Sequence, residues 1–314
     1  MAFPRLLSLP PHVIGFGYLL AYIALDWISF VHPYGPFAIT PWNPSTGLSF
    51  VLVLLFGLRH LPMLFLAPVA ADLLIRGVPA GFAGVLGGLV IGGGYSVAAF
   101  LLLRPLPRFD VSLSSTRDLF LLLLVAAGSS SLVAVAYISI HVIFGQLPMS
   151  AFSPAILRFW IGDLIGIAVV TPFLLILLTR GALFDLGWDT AMQVLLLLFC
   201  LLLAFGTAQG RQLQLFYLLF LPIIWIAIRA GLEGVTAGLV LTQLGLIVAL
   251  QMQSPTAVDV TTFQALMLIL TLTGLAAGAL VTERRRAELQ LRLQQDAQAR
   301  LTRLGSMGEL ASAL

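Results

Sequence analysis

The chain has 314 residues, of which 60% are hydrophobic and 9% are charged, and its mean hydropathy is +1.06. Soluble domains carry about 25% charged residues, so this composition excludes a soluble protein and predicts one that lives in a lipid bilayer. All sixteen basic residues are arginines, and most lie at the ends of apolar segments. That distribution is typical of membrane orientation rather than nucleic-acid binding, so no nucleic-acid partner is expected. The single cysteine, Cys200, excludes an intrachain disulfide and a cysteine metal cluster.

Ten apolar segments follow one another and predict an all-α, polytopic membrane helix bundle. The first segment is interpreted as a retained span rather than a cleaved signal peptide, because Asp26 interrupts it and no small-residue cleavage site follows. A span needs about 20 residues, and the second and third segments are shorter, so the sequence predicts eight to ten crossings. The segments cover residues 12–30, 45–58, 61–75, 80–103, 118–144, 155–178, 191–208, 213–228, 232–252 and 262–282.

Arginines divide unequally between alternate loops, which predicts the orientation of the chain. The poorer set of loops carries Arg76 and Arg211, with Arg158 at the entrance to a span. By the positive-inside rule, both termini are expected in the cytoplasm of a bacterium, with the chain in its inner membrane and loops 31–46, 145–154 and 253–261 facing the periplasm. The richer, cytoplasmic set carries Arg5, Arg59, Arg104, Arg108, Arg117, Arg180, Arg229 and Arg284–Arg286.

From residue 283 onward the sequence becomes polar, and its apolar residues recur at spacings of three and four. This pattern predicts one amphipathic signalling helix or coiled coil that leaves the membrane. The Arg284–Arg286 cluster is expected to hold the helix at the anionic lipid surface. The polar run stops at Leu314 without a helix cap, so more sequence is expected after it. The apolar stripe consists of Leu289, Leu293, Ala297, Leu301, Leu304, Met307, Ala311 and Leu314.

Four charged residues in or next to the apolar segments stand out, because a charge inside the membrane costs about 2.5–3.5 kcal/mol and so calls for a partner or a function. Asp72 and Arg76 are four residues apart and are predicted to pair on one helix face. Arg158 and Asp163 are five apart, which favours partners on other helices. Structural ion pairs and a ligand or proton site both remain open for these residues.

Glycines at intervals of four predict close contacts between helices. Gly84, Gly88 and Gly92 form one such run, and no strand precedes it, so a phosphate-binding loop is not indicated. Gly274 and Gly278 form another in the last span and are candidates for helix packing or a dimer contact.

Neither a metal site nor an active site is predicted for this chain. The four histidines lie in separate segments without ligand spacing, so no metal is expected. No catalytic residue and no cofactor is predicted within the chain, and whether it belongs to an enzyme stays open.

Several motifs in chain order resemble the type-one membrane-associated sensor domain, a multi-span module found ahead of bacterial histidine kinases and diguanylate cyclases. The resemblance implies a sensory function for residues 12–282 and eight spans. The motifs are Pro41-Trp-Asn-Pro-Ser-Thr-Gly-Leu48, Phe56-Gly-Leu-Arg-His-Leu-Pro62, Trp160-Ile-Gly-Asp-Leu-Ile-Gly166 with Pro172, and Leu221-Pro-Ile-Ile-Trp-Ile-Ala-Ile-Arg-Ala-Gly231.

The last twelve residues, from Arg303 to Leu314, resemble the opening of the dimerisation and phosphoacceptor helix of sensor histidine kinases. The resemblance implies a phosphorylated histidine just after Leu314, in a kinase core that would use ATP and Mg and serve a response regulator. The predicted domains are then a membrane sensor over 1–282, a signalling helix over 283–303 and the start of the phosphoacceptor helix over 304–314. In the homodimer this implies, Leu293, Leu301 and Leu304 are candidate contacts.

Three functions compete at this stage. The favoured one is the sensory input module of a two-component histidine kinase, responding to an unknown small molecule or membrane signal. The second is a transporter or solute-binding protein that uses the intramembrane charges; the likeness of residues 55–59 to 225–229 supports a repeat only weakly. The third is a membrane scaffold that dimerises through Gly274 and Gly278. The candidate ligand or signal residues are Trp42, Asn43, Asp72, Arg76, Arg158, Trp160 and Asp163.

Overall fold

A computed structural model describes residues 10–31, 39–77, 81–103, 109–181, 187–205, 215–252 and 260–312, with side chains up to residue 298. Over these ranges the chain is helical and contains no strand, which confirms the predicted fold class. We number the helices in chain order. They are α1 (Pro11–Ser29), α2 (Pro44–Phe56), α3 (Leu61–Ile75), α4 (Phe82–Leu103), α5 (Thr116–Ile143), α6 (Phe152–Arg180), α7 (Trp188–Phe205), α8 (Phe220–Gln251) and α9 (Val260–Ser312).

Eight of the described helices are long and apolar enough to cross a bilayer, a count within the predicted range. α2 is the exception, because it has only 13 residues. The most buried of the eight is α6, which packs against α2, α5, α8 and α9 and forms the centre of the bundle.

The short helix α2 begins beside the middle of α6 rather than at an end of the bundle. The backbone N–H of Asn43 donates to the carbonyl of Gly162 at 3.1 Å, and Thr171 Oγ1 donates to the carbonyl of Gly47 at 3.0 Å. Residue numbers therefore increase in the same direction along both helices, so α2 runs parallel to the second half of α6. Residues 39–43, which we call the proline-rich segment, directly precede α2 and lie inside the bundle, where Trp42 is 1% exposed. The predicted second segment is short because it is a half-span helix.

Helix α8 folds back on itself at Gly231. This glycine has φ 63° and ψ −151°, a conformation that side-chain-bearing residues rarely adopt. A Cβ on Gly238 would lie 3.0 Å from Cδ1 of Ile226, although residues twelve apart in a straight helix are about 18 Å apart. α8 is therefore a hairpin with arms at 220–230 and 232–251, close to the predicted eighth and ninth segments.

The glycine runs lie where helices of this chain approach closely. A Cβ on Gly92 would lie 2.7 Å from the carbonyl oxygen of Leu64, so α4 packs tightly on α3. In α9, a Cβ on Gly274 would lie 2.8 Å from Cγ2 of Ile223, and one on Gly278 would lie 3.1 Å from Cα of Leu232. The α8 hairpin of the same chain thus covers the face that the sequence also suggested for a dimer contact.

The described arginines divide between the two ends of the bundle as predicted. Arg180, at the end of α6, pairs with Glu233 beside the hairpin turn, and Thr116, at the start of α5, hydrogen-bonds Glu283 as α9 leaves the bundle. Arg76 and Arg158 lie at the opposite end. We call the end that holds Arg180 and Glu283 the Arg-rich end. Its arginines are Arg59, Arg117, Arg180, Arg229 and Arg284–Arg286. Arg5, Arg104, Arg108 and Arg211 fall outside the described residues.

Candidate functional site

The carboxylate of Asp163 lies at the centre of the bundle and joins three parts of the chain. Its Oδ1 accepts a hydrogen bond from Nδ2 of Asn43 at 2.8 Å, and its Oδ2 accepts one from the hydroxyl of Tyr95. Asp163 is 2% exposed and Tyr95 is fully buried. Because Asn43 directly precedes α2, the carboxylate lies at the positive end of that helix dipole, where a negative charge is favoured.

The glycines of the Trp-x-Gly-Asp-x-x-Gly motif allow this arrangement. A Cβ on Gly162 would lie 2.7 Å from the carbonyl oxygen of Thr40. A Cβ on Gly166 would clash with the carbonyl oxygen of Asn43. On the facing helix, a Cβ on Gly47 would lie 2.5 Å from the carbonyl oxygen of Gly166. Only glycine lets the proline-rich segment press so closely against α6, so two motifs distant in sequence form one packed unit.

A glutamine of the last helix ties α9 to this unit. Gln264 Nε2 donates to the carbonyls of Pro41 at 3.2 Å and Arg158 at 2.9 Å, and Thr40 O lies 3.4 Å away. Gln264 is fully buried, near the start of α9. The sequence interpretation missed this residue, although an amide inside an apolar span was a signal that could have revealed it. We define Thr40, Pro41, Asn43, Tyr95, Asp163 and Gln264 as the central junction.

Three polar atoms at or beside the central junction are buried without a hydrogen-bond partner among the described residues. They are Nε1 of Trp42, Oδ1 of Asn43 and Oε1 of Gln264. Each unpaired buried polar group costs about 1–3 kcal/mol, so pairing these atoms would contribute favourably to a rearrangement of the junction.

A second polar cluster lies at the end opposite the Arg-rich end. The Arg76 guanidinium pairs with Asp72 and Asp26, both at 2.7 Å, and lies 5.3 Å from the ring centre of Phe30. The predicted pairing of Asp72 with Arg76 is confirmed. Asp26 completes the cluster from α1, a role that spacing could not reveal because it is 50 residues from Arg76.

Two other candidate residues point away from Asp163. Arg158 donates from Nε to Thr261 at the start of α9, at 3.2 Å, and Trp160 donates from Nε1 to the carbonyl of Ala127 in α5, at 3.0 Å. Arg158 and Asp163 thus have partners on other helices, as their spacing indicated. Trp160 is a packing residue of the α5–α6 interface.

At the Arg-rich end, α9 caps both ends of the break in α8. A helix break leaves backbone groups without partners. Thr282 Oγ1 accepts from the backbone N–H of Leu232 at 2.8 Å, and Arg285 donates to the carbonyls of Ile228 and Arg229 at 2.7 and 3.1 Å. Arg285 therefore has a protein partner, whereas the sequence interpretation assigned it to lipid. Thr282 and Arg285 lie one helical turn apart, so one face of α9 holds the hairpin turn.

Outside the spans, near the Arg-rich end, the pKa of the Asp110 carboxyl is shifted. Partial burial raises its pKa, but hydrogen bonds from Ser112 and Ser114 outweigh that effect and bring the pKa below its ordinary value. The carboxylate therefore stays ionised and holds the turn at Ser112, whose carbonyl accepts from Arg180. No cluster of three metal-ligating side chains occurs within the described ranges.

Together the helices define a polytopic membrane protein with a polar junction at its centre. The MASE1 family model matches residues 13–285, and the chain belongs to this family of membrane-associated sensor domains, typical of bacterial sensor kinases and diguanylate cyclases. The resemblance of residues 12–282 to the type-one membrane-associated sensor domain is thereby confirmed. The match ends at Arg285, the residue that caps the hairpin. Searches of curated proteins and of solved structures find no match.

Proposed function

We propose that this chain is the sensory input module of a two-component sensor histidine kinase in a bacterial inner membrane, with the Arg-rich end in the cytoplasm. The observation that carries the proposal is the continuity of α9. This helix runs without a break over 53 residues, about 80 Å, from the central junction to the polar tail. A shift or rotation at one end of such a helix is transmitted to its other end.

The central junction is suited to hold α9 in one of two positions. Gln264 contacts the proline-rich segment, and that segment contacts Asp163, which also accepts from Tyr95. A small molecule or membrane property that moves the segment would offer partners to its unpaired polar atoms and release or tighten Gln264. The signal then shifts a population between two packings of α9.

On the output side, we propose that α9 delivers this shift to a dimeric kinase core. The support is the likeness of residues 303–314 to a phosphoacceptor helix, together with the apolar stripe from Leu289 onward. A core of this kind uses ATP and Mg and transfers a phosphoryl group to a response regulator. Residues 283–303 then act as the signalling helix, and Leu293, Leu301 and Leu304 would meet their copies across the dimer axis.

The proposal is tested by changing the helical phase between the membrane domain and the kinase core. Residues 1–303 are joined to the phosphoacceptor helix and ATP-binding domain of a soluble histidine kinase, and one to seven alanines are inserted after Gln290. If α9 transmits a rotation or tilt, the autophosphorylation rate should vary with a period of about 3.6 residues. A rate that does not depend on the number of inserted residues would rule out transmission through a rigid helix.

A solute-binding or transport function is the second candidate, because α2 is a half-span helix whose first turn lies in the bundle centre. Discontinuous helices of this kind form the binding sites of many transporters. Against it, the side chains of the central junction enclose one another, and Asp163 is 2% exposed. Steady uptake of a solute by liposomes that contain this chain, lost in Asp163→Asn, would favour the transporter.

A further inference from the structure

A cavity of about 980 Å³ lies at the Arg-rich end between α7, the α8 hairpin and Phe173 of α6. Its volume is at the upper end of the range for ligand pockets, about 300–1,000 Å³. None of the candidate residues from the sequence lines it. The cavity is separate from the central junction, so the ligand it binds has to be inferred from its own lining residues.

The lining changes from polar to apolar along the cavity. Asp189 and Glu233 lie near the first residues of α7 and of the second α8 arm, at the Arg-rich end. Leu197 and Leu244 lie about 12 and 16 Å further along the same helices, toward the middle of the bundle. A slot that is polar at the membrane surface and apolar toward the hydrocarbon has the polarity profile of a lipid.

One buried polar atom lies between these two regions. Gln193 lines the cavity one helical turn from Asp189 and is 5% exposed, and its Nε2 has no hydrogen-bond partner among the described residues. A buried amide N–H normally has an acceptor, and rotation of the Gln193 side chain toward the cavity would let an occupant supply one. The ester carbonyl of a glycerolipid lies just below the headgroup and fits this position.

The charges at the polar end select the headgroup. One cation, Arg229, and two carboxylates, Asp189 and Glu233, line the cavity. Glu233 also pairs with Arg180, so two cations and two carboxylates balance at this end of the cavity. Such a lining of separate positive and negative groups suits a headgroup that carries both a phosphate and an ammonium group. The Arg229–Asp189 pair is more than half exposed, and such pairs contribute little to stability, so it can open around a zwitterion.

We propose that this cavity binds a zwitterionic aminophospholipid from the leaflet at the Arg-rich end. The phosphate contacts Arg229, the ammonium group contacts Asp189 and Glu233, and Gln193 donates to an ester carbonyl while one acyl chain lies along Leu197 and Leu244. The backbone carbonyl of Arg229 is also held by Arg285 of α9, so the lipid would sit beside the exit of the signalling helix. The site does not depend on the sensor proposal.

Native mass spectrometry of the full, delipidated chain tests the proposal, with palmitoyl-oleoyl phosphatidylethanolamine as the probe. One saturable lipid is expected on the wild type. Ala237→Trp, which fills the cavity, should abolish that binding, and Gln193→Leu should weaken it about 2- to 10-fold through loss of one hydrogen bond. Ala276→Trp, on an exposed position of α9, is the matched control and should bind like the wild type.

Each other outcome contradicts part of the proposal. Equal affinity for phosphatidylglycerol overturns the headgroup assignment, and undiminished binding by Ala237→Trp overturns the site. Elution volume and unfolding temperature show whether each variant folds. If Ala237→Trp does not fold, Gln193→Leu decides, because wild-type affinity in that folded variant also overturns the site.

Discussion

At the scale of single residues, the sequence identified the charged side chains correctly but not all of their partners. Spacing on one helix was enough to pair Asp72 with Arg76, because residues four apart share a helix face. The partners of Asp163 are 68 and 120 residues away, and Asp26 is 50 residues from Arg76. A single sequence carries no signal for such tertiary contacts, so only the structure shows Tyr95 and Asp26 as partners of these charges.

Substitution of Gly166 should damage the central junction. Gly166→Ala places a Cβ against the backbone carbonyl of Asn43, which cannot move without displacing the proline-rich segment. We expect a loss of at least about 3 kcal/mol in unfolding free energy, measured as a lower thermal midpoint in detergent. Gly128→Ala is the control, since nothing lies within 4 Å of its Cβ. Equal midpoints for the two variants would show that the contact is not tight.

Removal of Arg76 should be more harmful than removal of one of its partners. Arg76→Leu leaves the buried carboxylate of Asp26 and the partly buried carboxylate of Asp72 without a cation. Breaking a buried pair in this way costs about 3–5 kcal/mol. Asp72→Asn keeps the Arg76–Asp26 pair and should cost less. Thermal midpoints of the two variants provide the comparison, and a smaller loss for Arg76→Leu would contradict the assigned network.

At the scale of helices, hydrophobic segments predicted most elements but not how two of them are built. The apolar runs at 45–58 and 213–228 correspond to a half-span helix and to one arm of a hairpin. Each is followed by a glycine of similar conformation, Gly57 with φ 76° and Gly231 with φ 63°. The two reversals differ in packing, because the arms of α8 contact each other whereas α2 packs on α1, α4 and α6. Hydropathy cannot distinguish these cases.

The chain reverses direction at Gly57 and at Gly231. Substitution of each glycine separates the effect of backbone strain from the effect of contact with α9. Alanine at either position costs about 1–3 kcal/mol through its positive φ. Only Gly231→Ala also places its Cβ near α9, 2.5 Å from Oγ1 of Thr282, whereas Gly57 has open space. We therefore expect a lower thermal midpoint in both variants but altered autophosphorylation of the kinase fusion only in Gly231→Ala. An equal effect of Gly57→Ala on output would refute coupling through Thr282.

Adjacent arginines of the polar cluster should have different roles. Arg285 caps the carbonyls of Ile228 and Arg229, so Arg285→Gln should loosen α9 from the hairpin and change the output of the fusion. Arg286→Gln removes the same charge from the lipid surface and should leave that output closer to wild type. If both variants behave alike, the cluster acts on lipid through its charge alone.

At the scale of the whole molecule, one helix connects the two ends of the bundle. α9 contacts the central junction through Gln264, lies in the α8 hairpin through Gly274 and Gly278, and caps its turn through Thr282 and Arg285. The sequence predicted a helix that leaves the membrane and could act on an output domain. It could not predict what positions that helix inside the bilayer, because those contacts depend on tertiary packing.

The most direct test of this account compares two buried glutamines that both contact other helices. Gln264 joins α9 to the proline-rich segment, whereas Gln243 of α8 bonds Thr271 of α9 at 3.2 Å, away from the central junction. Both are fully buried. The measurement is the autophosphorylation rate of the kinase fusion in membranes that carry Gln264→Ala or Gln243→Ala. The account predicts that only Gln264→Ala changes this rate, by several-fold at equal protein level; equal rates in the two variants would contradict transmission from the central junction through α9.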